Sequence, residues 1–444
     1  MALSSPETGA PGAGTPPAAA GAPPTAAHAA AAQKAGTPPP AAVPSARTNR
    51  SRGLLPLLLL GNSTMYALYV GVPGVLLALQ VESIDPAHKV ANFGLVSGVA
   101  AIFATVFNPV AGALSDRSGR RNPWILAGGL LAVPAMLLLG SVDTVLLVMI
   151  AWCLGQAVMN VYQAALTSVV PDRVPTGARG KASAAVGLGL PLGSTAGALL
   201  GAAYSDDYRT GYLVFGVIVA VGAVVFSAGA REERMAARQP VPVRAQLAAF
   251  GSALKDHDFR WAFIGRALLV LGYFAVAGFQ LYILKDHTVL PAGLRPEEAV
   301  AVLMPVTGVA MAVSTVLGGW LSDRYDRRKL FVGASAGLAA AAMVIPAVST
   351  SWTAMLAFAV VNGLGFGCYM AVDTALVTMV LPAAQDAARD MGVLNVANAG
   401  PQIVAPFVAS VIVSVSGGYT TLFLAAAVLS VLGALAVRPI RSVR

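Results

Sequence analysis

Gly112-Ala-Leu-Ser-Asp-Arg-Ser-Gly-Arg-Arg121 recurs 207 residues later as Gly319-Trp-Leu-Ser-Asp-Arg-Tyr-Asp-Arg-Arg328, with Gly, Leu, Ser, Asp and three Arg in register. Each copy is a short polar break between two long apolar runs. At an offset of 210, Ala165-Leu166 matches Ala375-Leu376, Ala178-Arg179 matches Ala388-Arg389, and Pro191 matches Pro401. The chain therefore reads as two related halves, residues 53–230 and 259–437, with 231–258 as a connector and 438–444 as a basic cytoplasmic tail. Parallel repeats of this kind suit a carrier whose halves rock about a solute held at mid-membrane.

Composition points the same way. Only 11% of the 444 residues are Asp, Glu, Lys or Arg, and the mean hydropathy is +0.72. With glycine counted and tyrosine left out, about 65% of the chain is apolar, against ~45–50% apolar and ~25% charged in soluble domains. So few charges cannot cover a water-exposed surface, which excludes a soluble enzyme and a nucleic-acid binder. Cys153 and Cys368 each lie in an apolar run, so no disulfide framework or Cys-x-x-Cys metal site is expected. Residues 1–52 are different, with 17 Ala, 10 Pro and no aromatic residue. Such a segment cannot bury enough apolar surface to offset its ordering entropy, and it reads as a disordered cytoplasmic tail.

Runs of ~20 apolar residues, enough for a helix to cross ~30 Å of hydrocarbon, fall near 54–80, 91–114, 123–141, 144–168, 179–204, 210–230, 259–284, 299–321, 329–347, 352–380, 390–416 and 419–437. They are too long for barrel strands, and backbone groups in lipid must be paired internally, so they are helices. The expected fold is an all-α integral membrane protein of twelve transmembrane helices, arranged as two pseudo-symmetric six-helix bundles around a central cavity. With the N-terminus in the cytoplasm, the inner segments collect Arg117, Arg120, Arg121, Arg173, Arg179, Lys181, Arg324, Arg327, Arg328 and Lys329, while the outer ones hold Lys89, Arg209, Lys285 and Arg295. Positive residues are retained inside, which places both termini in the cytoplasm and explains the net charge of +9 without a polyanionic partner.

The stretch 112–121, its weaker copy at 319–328, the span count and the duplication together resemble the major facilitator superfamily, over residues 53–437. Arg121-Asn-Pro-Trp-Ile-Leu and Gly392-Val-Leu-Asn-Val-Ala-Asn-Ala-Gly-Pro-Gln are similar to its proton-coupled sucrose-type branch, although Asn122 stands where that branch has further Arg. The resemblance implies that Asp116, Arg117, Gly119, Arg120 and Arg121 hold the cytoplasmic side closed when the outside is open. Asp323, Arg324, Arg327 and Arg328 would be the pseudo-symmetric partner, with Asp326 replacing the turn glycine. The plainer alternative is positive-inside topology with surface ion pairs worth ~0–1 kcal/mol.

Polar side chains inside a bilayer face protein or water. Span one offers Asn62, Tyr66 and Tyr69; span four offers Gln156, Asn160 and Gln163; span seven offers Arg266, Tyr273 and Gln280; span ten offers Asn362, Tyr369 and Asp373. Each set shares one helix face, and in the resembled family these four helices line the central cavity. Interhelical hydrogen bonding is the alternative. Arg266 and Asp373 stand apart as charged groups within spans. Asp373 either couples proton movement to the conformational switch or forms a static ion pair with an arginine.

Span five repeats glycine at 189, 193, 197 and 201. Close helix packing accounts for this, and it also suits a sliding surface between the halves. Gly189-Leu-Pro191-Leu-Gly193 only approximates the Gly-Pro motif of drug antiporters. No phosphate loop, nucleophile or metal cluster is visible, so neither an enzyme nor ATP drive is expected, and no cofactor or metal is called for. The expected function is secondary active transport of a small organic solute in the plasma membrane, proton-coupled and sugar- or glycoside-like. Proton-driven export of a drug or secondary metabolite is the alternative, and a non-transporting sensor a distant one.

Overall fold

The computed structural model describes residues 47–230, 232, 254–379 and 387–441. Most of the expected tail over 1–52, most of the connector and residues 442–444 lie outside the described residues. Among them, twelve helices are long and apolar enough to span a bilayer: α1 (Gly53–Ile84), α2 (Pro86–Ser118), α3 (Asn122–Ser141), α4 (Val145–Arg173), α5 (Arg179–Ala203), α6 (Tyr208–Gly229), α7 (His257–Ala277), α8 (Pro296–Tyr325), α9 (Arg328–Val348), α10 (Trp352–Leu376), α11 (Val396–Ser416) and α12 (Tyr419–Ala436). Each falls on an expected run. Several reach further than hydropathy indicates, as α2 does at both ends, because a helix does not stop where hydrocarbon stops. His88 and His257 lie in the first turns of α2 and α7.

One expected span is not a single helix. A run through residue 284 was expected, but α7 stops at Ala277 and a separate helix, Gln280–Asp286, follows. The chain leaves helical geometry at Phe279 (φ -104°, ψ 15°), just after Gly278. A matching irregularity interrupts α1, where Val72–Leu76 forms a wider π-type turn around Pro73-Gly74. Proline has no N–H for the regular ladder. Gly71 and Gly278 are 207 residues apart, the spacing of the repeated loop, so the two breaks are equivalent.

Packing repeats as the sequence does. In the first half α2 packs on α4, α3 on α4 and α6, and α1 on α5 and α6. In the second half α8 packs on α10, α9 on α10 and α12, and α7 on α11 and α12. The halves meet along two related seams, α2 with α11 and α5 with α8. At the first seam Gly94 and Gly98 admit Ser410 and Phe407 of α11 so closely that a Cβ on either glycine would overlap them. Large apolar side chains such as Leu130, Leu131, Leu146, Leu199 and Val316 remain exposed around the bundle, the surface that lipid covers.

The glycines of α5 do not lie between the halves. They seat α5 on α1 of the same half: Gly189 meets Asn62, Gly193 meets Ser63 and Tyr66, Gly197 meets Ala67, and Gly201 meets Val75. Each helps the two helices interlock at close range, so the packing reading applies and the sliding reading does not. A Cβ on Gly197 would overlap the Ala67 carbonyl oxygen, which is backbone and cannot rotate away. Gly197→Val is therefore expected to lose about 1–3 kcal/mol, read as a lower melting temperature in detergent. Gly187→Val is the control, since a Cβ there meets nothing within 4 Å.

Candidate functional site

The repeated loops lie together at one end of the bundle, here the motif end. Gly119 ends α2 in the left-handed conformation (φ 65°), its N–H reaching the Asp116 carbonyl. Asp326 ends α8 in the same conformation (φ 49°, ψ 37°). The turn survives without its glycine because aspartate tolerates this region better than most residues, at about 1–2 kcal/mol.

The six arginines around these turns are not alike. Arg121 is 3% exposed and ion-paired to Asp116. Its Nε also donates to Asp172 at 2.9 Å and its Nη1 to Ser115 at 2.7 Å. The ends of α2 and α4 are thus clamped through one guanidinium. Arg117 and Arg120 are exposed. In the second copy Arg328 pairs with Asp323 at 3.0 Å, Arg324 lies over the Trp320 ring at 5.5 Å, and Arg327 is exposed. Asp116 meets an arginine of its own half. Just beyond α6, Glu232 accepts the Arg121 and Asn122 N–H groups at the start of α3 and an ion pair from Arg173.

The halves are bridged at the opposite end. Lys89 pairs with Glu82 at 3.0 Å and with Asp286 at 2.8 Å, and Lys285 pairs with Glu82 at 2.8 Å. Arg295 pairs with Asp206 at 2.8 Å and holds its carboxyl below the usual range. That pair is solvent-exposed and contributes little; the lysine–carboxylate cluster is more sheltered. Beneath it the Tyr282 hydroxyl donates to the Ala78 carbonyl at 2.8 Å, and Phe93 packs edge-on against Phe279 and Tyr282. The segments of α1 and α7 beyond the two breaks therefore seal against each other. Among the described residues, the ion pairs joining the halves all lie at this end.

The polar stripes divide into three groups. In the first half the Tyr69 hydroxyl donates to Gln163 at 3.1 Å, and Asn108 of α2 donates to Asn160, which in turn donates to the Gln156 carbonyl. Tyr66 is half-buried. Asn62 is buried against Gly189 and donates to the Leu58 carbonyl. In the second half Tyr273, Gln280 and Asn362 line one cavity with Thr307, Met304 and Phe358, between α7, α8 and α10. The Asn362 Oδ1 there is buried without a partner, and Tyr273 stacks on Phe366 with centroids 3.8 Å apart.

Arg266 and Asp373 form a separate pair. Nε lies 2.7 Å from Oδ2, with both side chains 5% exposed or less, and Nη2 donates to Thr374 at 3.1 Å. Tyr369, one turn before Asp373, is fully buried and its hydroxyl has no aligned partner. A buried pair of opposite charges holds together only while both partners are charged.

Sequence reading missed Glu82, Asp286 and the two helix breaks. Only the α1 break had a legible signal, Pro73-Gly74 inside an apolar run; interrupted helices at corresponding places in two repeats are where a transporter's binding region lies.

Comparison with known proteins agrees with this architecture. "MFS transporter asaE" of Aspergillus flavus is 24% identical over 327 residues, which cover 72% of this chain and 70% of that one. Among solved structures, a peptide transporter POT in complex with sulfate superposes with a TM-score of 0.70 at 14% identity, covering 88% of this chain and 94% of that one. A POT family transporter in complex with 5-aminolevulinic acid gives 0.68 at 12% identity, covering 86% and 94%. At such identities the likeness is one of fold. The model of the Major Facilitator Superfamily matches residues 57–290 and 288–443; the chain belongs to that family, and it is a secondary transporter, not an enzyme.

Proposed function

We propose that the protein is a proton-coupled importer of a small neutral organic solute, glycoside-like in its hydrogen-bonding pattern, in the plasma membrane with both termini in the cytoplasm. In that orientation the motif end is cytoplasmic and the bridged end is external, so the structure corresponds to the carrier closed to the outside. The observation carrying the reading is the buried Arg266–Asp373 pair, a titratable carboxylate held between α7 and α10, the two helices that with α8 also line a small cavity further along. That cavity offers Gln280, Thr307 and the unpartnered Asn362 carbonyl as hydrogen-bonding groups and Tyr273 as an aromatic wall, with no charged residue in its lining. Amides with an aromatic face suit a polyhydroxy ring. The repeated loops, including Asp116 and Asp323, are the proposed cytoplasmic gate.

Untargeted profiling of cells and medium, comparing a deletion strain with an overexpresser, tests direction and cargo together. Faster consumption of a medium component by the overexpresser supports import. A compound trapped in the deletion strain and enriched outside the overexpresser overturns it in favour of export. The external bridge gives a second check. With Lys89→Gln and Lys285→Gln together, Glu82 and Asp286 face each other without cations, and the outside-closed state weakens. Cysteine placed at Ala78, 2% exposed here, is then expected to react roughly fivefold faster with an impermeant maleimide, the effect of about 1 kcal/mol.

A further inference from the structure

In the first half, the start of α3 and the end of α6 enclose a carboxylate that the chain supplies itself, Glu232, bound by the N–H groups of Arg121 and Asn122. The equivalent place in the second half lies between the start of α9 and the end of α12. At the repeat spacing of 207, Pro439 stands where Glu232 would be. The second half therefore keeps an anion position and lacks the anion.

What occupies that place is an open groove. Arg327, Lys329 and Arg438 line its polar end, and Leu330, Ala334 and Leu435 its apolar flank. Lys329 is committed to structure: its Nζ donates to the Arg438 and Ile440 carbonyls at 2.7 Å each, which neutralises the end of α12. Arg327 and Arg438 are exposed, and neither has a carboxylate partner among the described residues. Of the neighbouring acids, Asp323 pairs with Arg328 and Asp258 accepts the Arg441 N–H. The first N–H groups of α9 have no acceptor within the helix, as at any helix start. Along the floor, a Cβ at Gly333 would meet nothing within 4 Å, and the same holds one turn on at Gly337. Leu330 and Leu435 are exposed.

We propose that this groove binds an anionic phospholipid. The headgroup phosphate lies between Arg327 and Arg438 at the α9 N-terminus, where the first half has its own carboxylate. One acyl chain runs along α9 over Gly333. A soluble anion would satisfy the arginines and leave the apolar flank uncovered; a zwitterionic lipid would cover the flank and bring its own cation to the arginines. Basic pockets between helices at a membrane edge favour anionic headgroups, by roughly fivefold in occupancy per cation. The site is independent of which solute is carried.

The test uses the purified full-length protein in detergent, with phosphatidylglycerol and phosphatidylcholine of identical chains, read by native mass spectrometry and by melting temperature. Phosphatidylglycerol is expected to be retained preferentially and to raise the melting temperature more. Arg327→Ala with Arg438→Ala should lower its retention by roughly 25-fold, taking fivefold per arginine, with the melting temperature in phosphatidylcholine unchanged. Gly333→Leu fills the floor and should lower phosphatidylglycerol retention with both arginines in place. Equal retention of the two lipids overturns the proposal. So does undiminished phosphatidylglycerol binding in either variant, or its displacement by millimolar inorganic phosphate, which would make this a soluble-anion site.

Discussion

Arg121→Ala is expected to destabilise the protein by about 3–5 kcal/mol, the usual cost of removing one partner from a buried ion pair. The arginine is 3% exposed and serves Asp116, Asp172 and Ser115 at once. The Asp172 side chain is 1% exposed, so the loss weakens the compensation of a carboxylate that water does not reach. Arg121→Lys should rescue little, because a single ammonium cannot copy the planar fork that meets two carboxylates. Arg117→Ala and Arg120→Ala, at exposed positions, should stay within about 0.5 kcal/mol. Melting temperatures in detergent and yields of monodisperse protein separate these cases. Asp116→Asn divides structure from gating: folded protein should reach the membrane while transport falls strongly. Undiminished transport in that variant would remove Asp116 from the proposed gate.

The second large effect belongs to Asp373. Asp373→Asn leaves Arg266 buried with its charge unanswered, again about 3–5 kcal/mol, so the single variant cannot separate folding from coupling. Asp373→Leu combined with Arg266→Met removes both charges and should recover most of the lost stability, because apolar replacements of buried pairs are often neutral or stabilising. In proteoliposomes the double variant should still exchange labelled solute across the membrane while losing accumulation driven by a pH gradient. Full gradient-driven accumulation by this variant would reduce the pair to a structural tie between α7 and α10.

The fold was legible because hydrophobic length and an internal repeat are both written locally. Gly112–Arg121 and its copy needed no tertiary knowledge to be matched, and the twelve runs follow from hydropathy. What escaped the sequence depends on partners distant along the chain. Glu232 caps a helix that begins 110 residues earlier, and nothing near either residue announces it. Glu82 and Asp286 meet their lysines only because the outer segments of α1 and α7 pack together. The α7 break is hidden because Ala277-Gly278-Phe279 is as apolar as the helix around it. The polar stripes were visible by periodicity, but periodicity gives a face, not a neighbour. It grouped Asn62 with Tyr69, although one packs on α5 and the other bonds to α4.

The glycines of α5 carry a mechanical consequence. A contact made by side chains has slack, because rotamers can turn to absorb a small displacement before the neighbouring backbone feels it. At Gly193 and Gly197 the helix backbones of α5 and α1 touch with no side chain between them. The same helix α5 packs on α8 across the seam. A tilt of α1 at its Pro73 irregularity is thus delivered to the other half almost undamped, as a rod turns a lever it is keyed to. A spin label on the lipid-facing side of α5, at Leu192 for example, is positioned to report that motion without touching the helix that starts it.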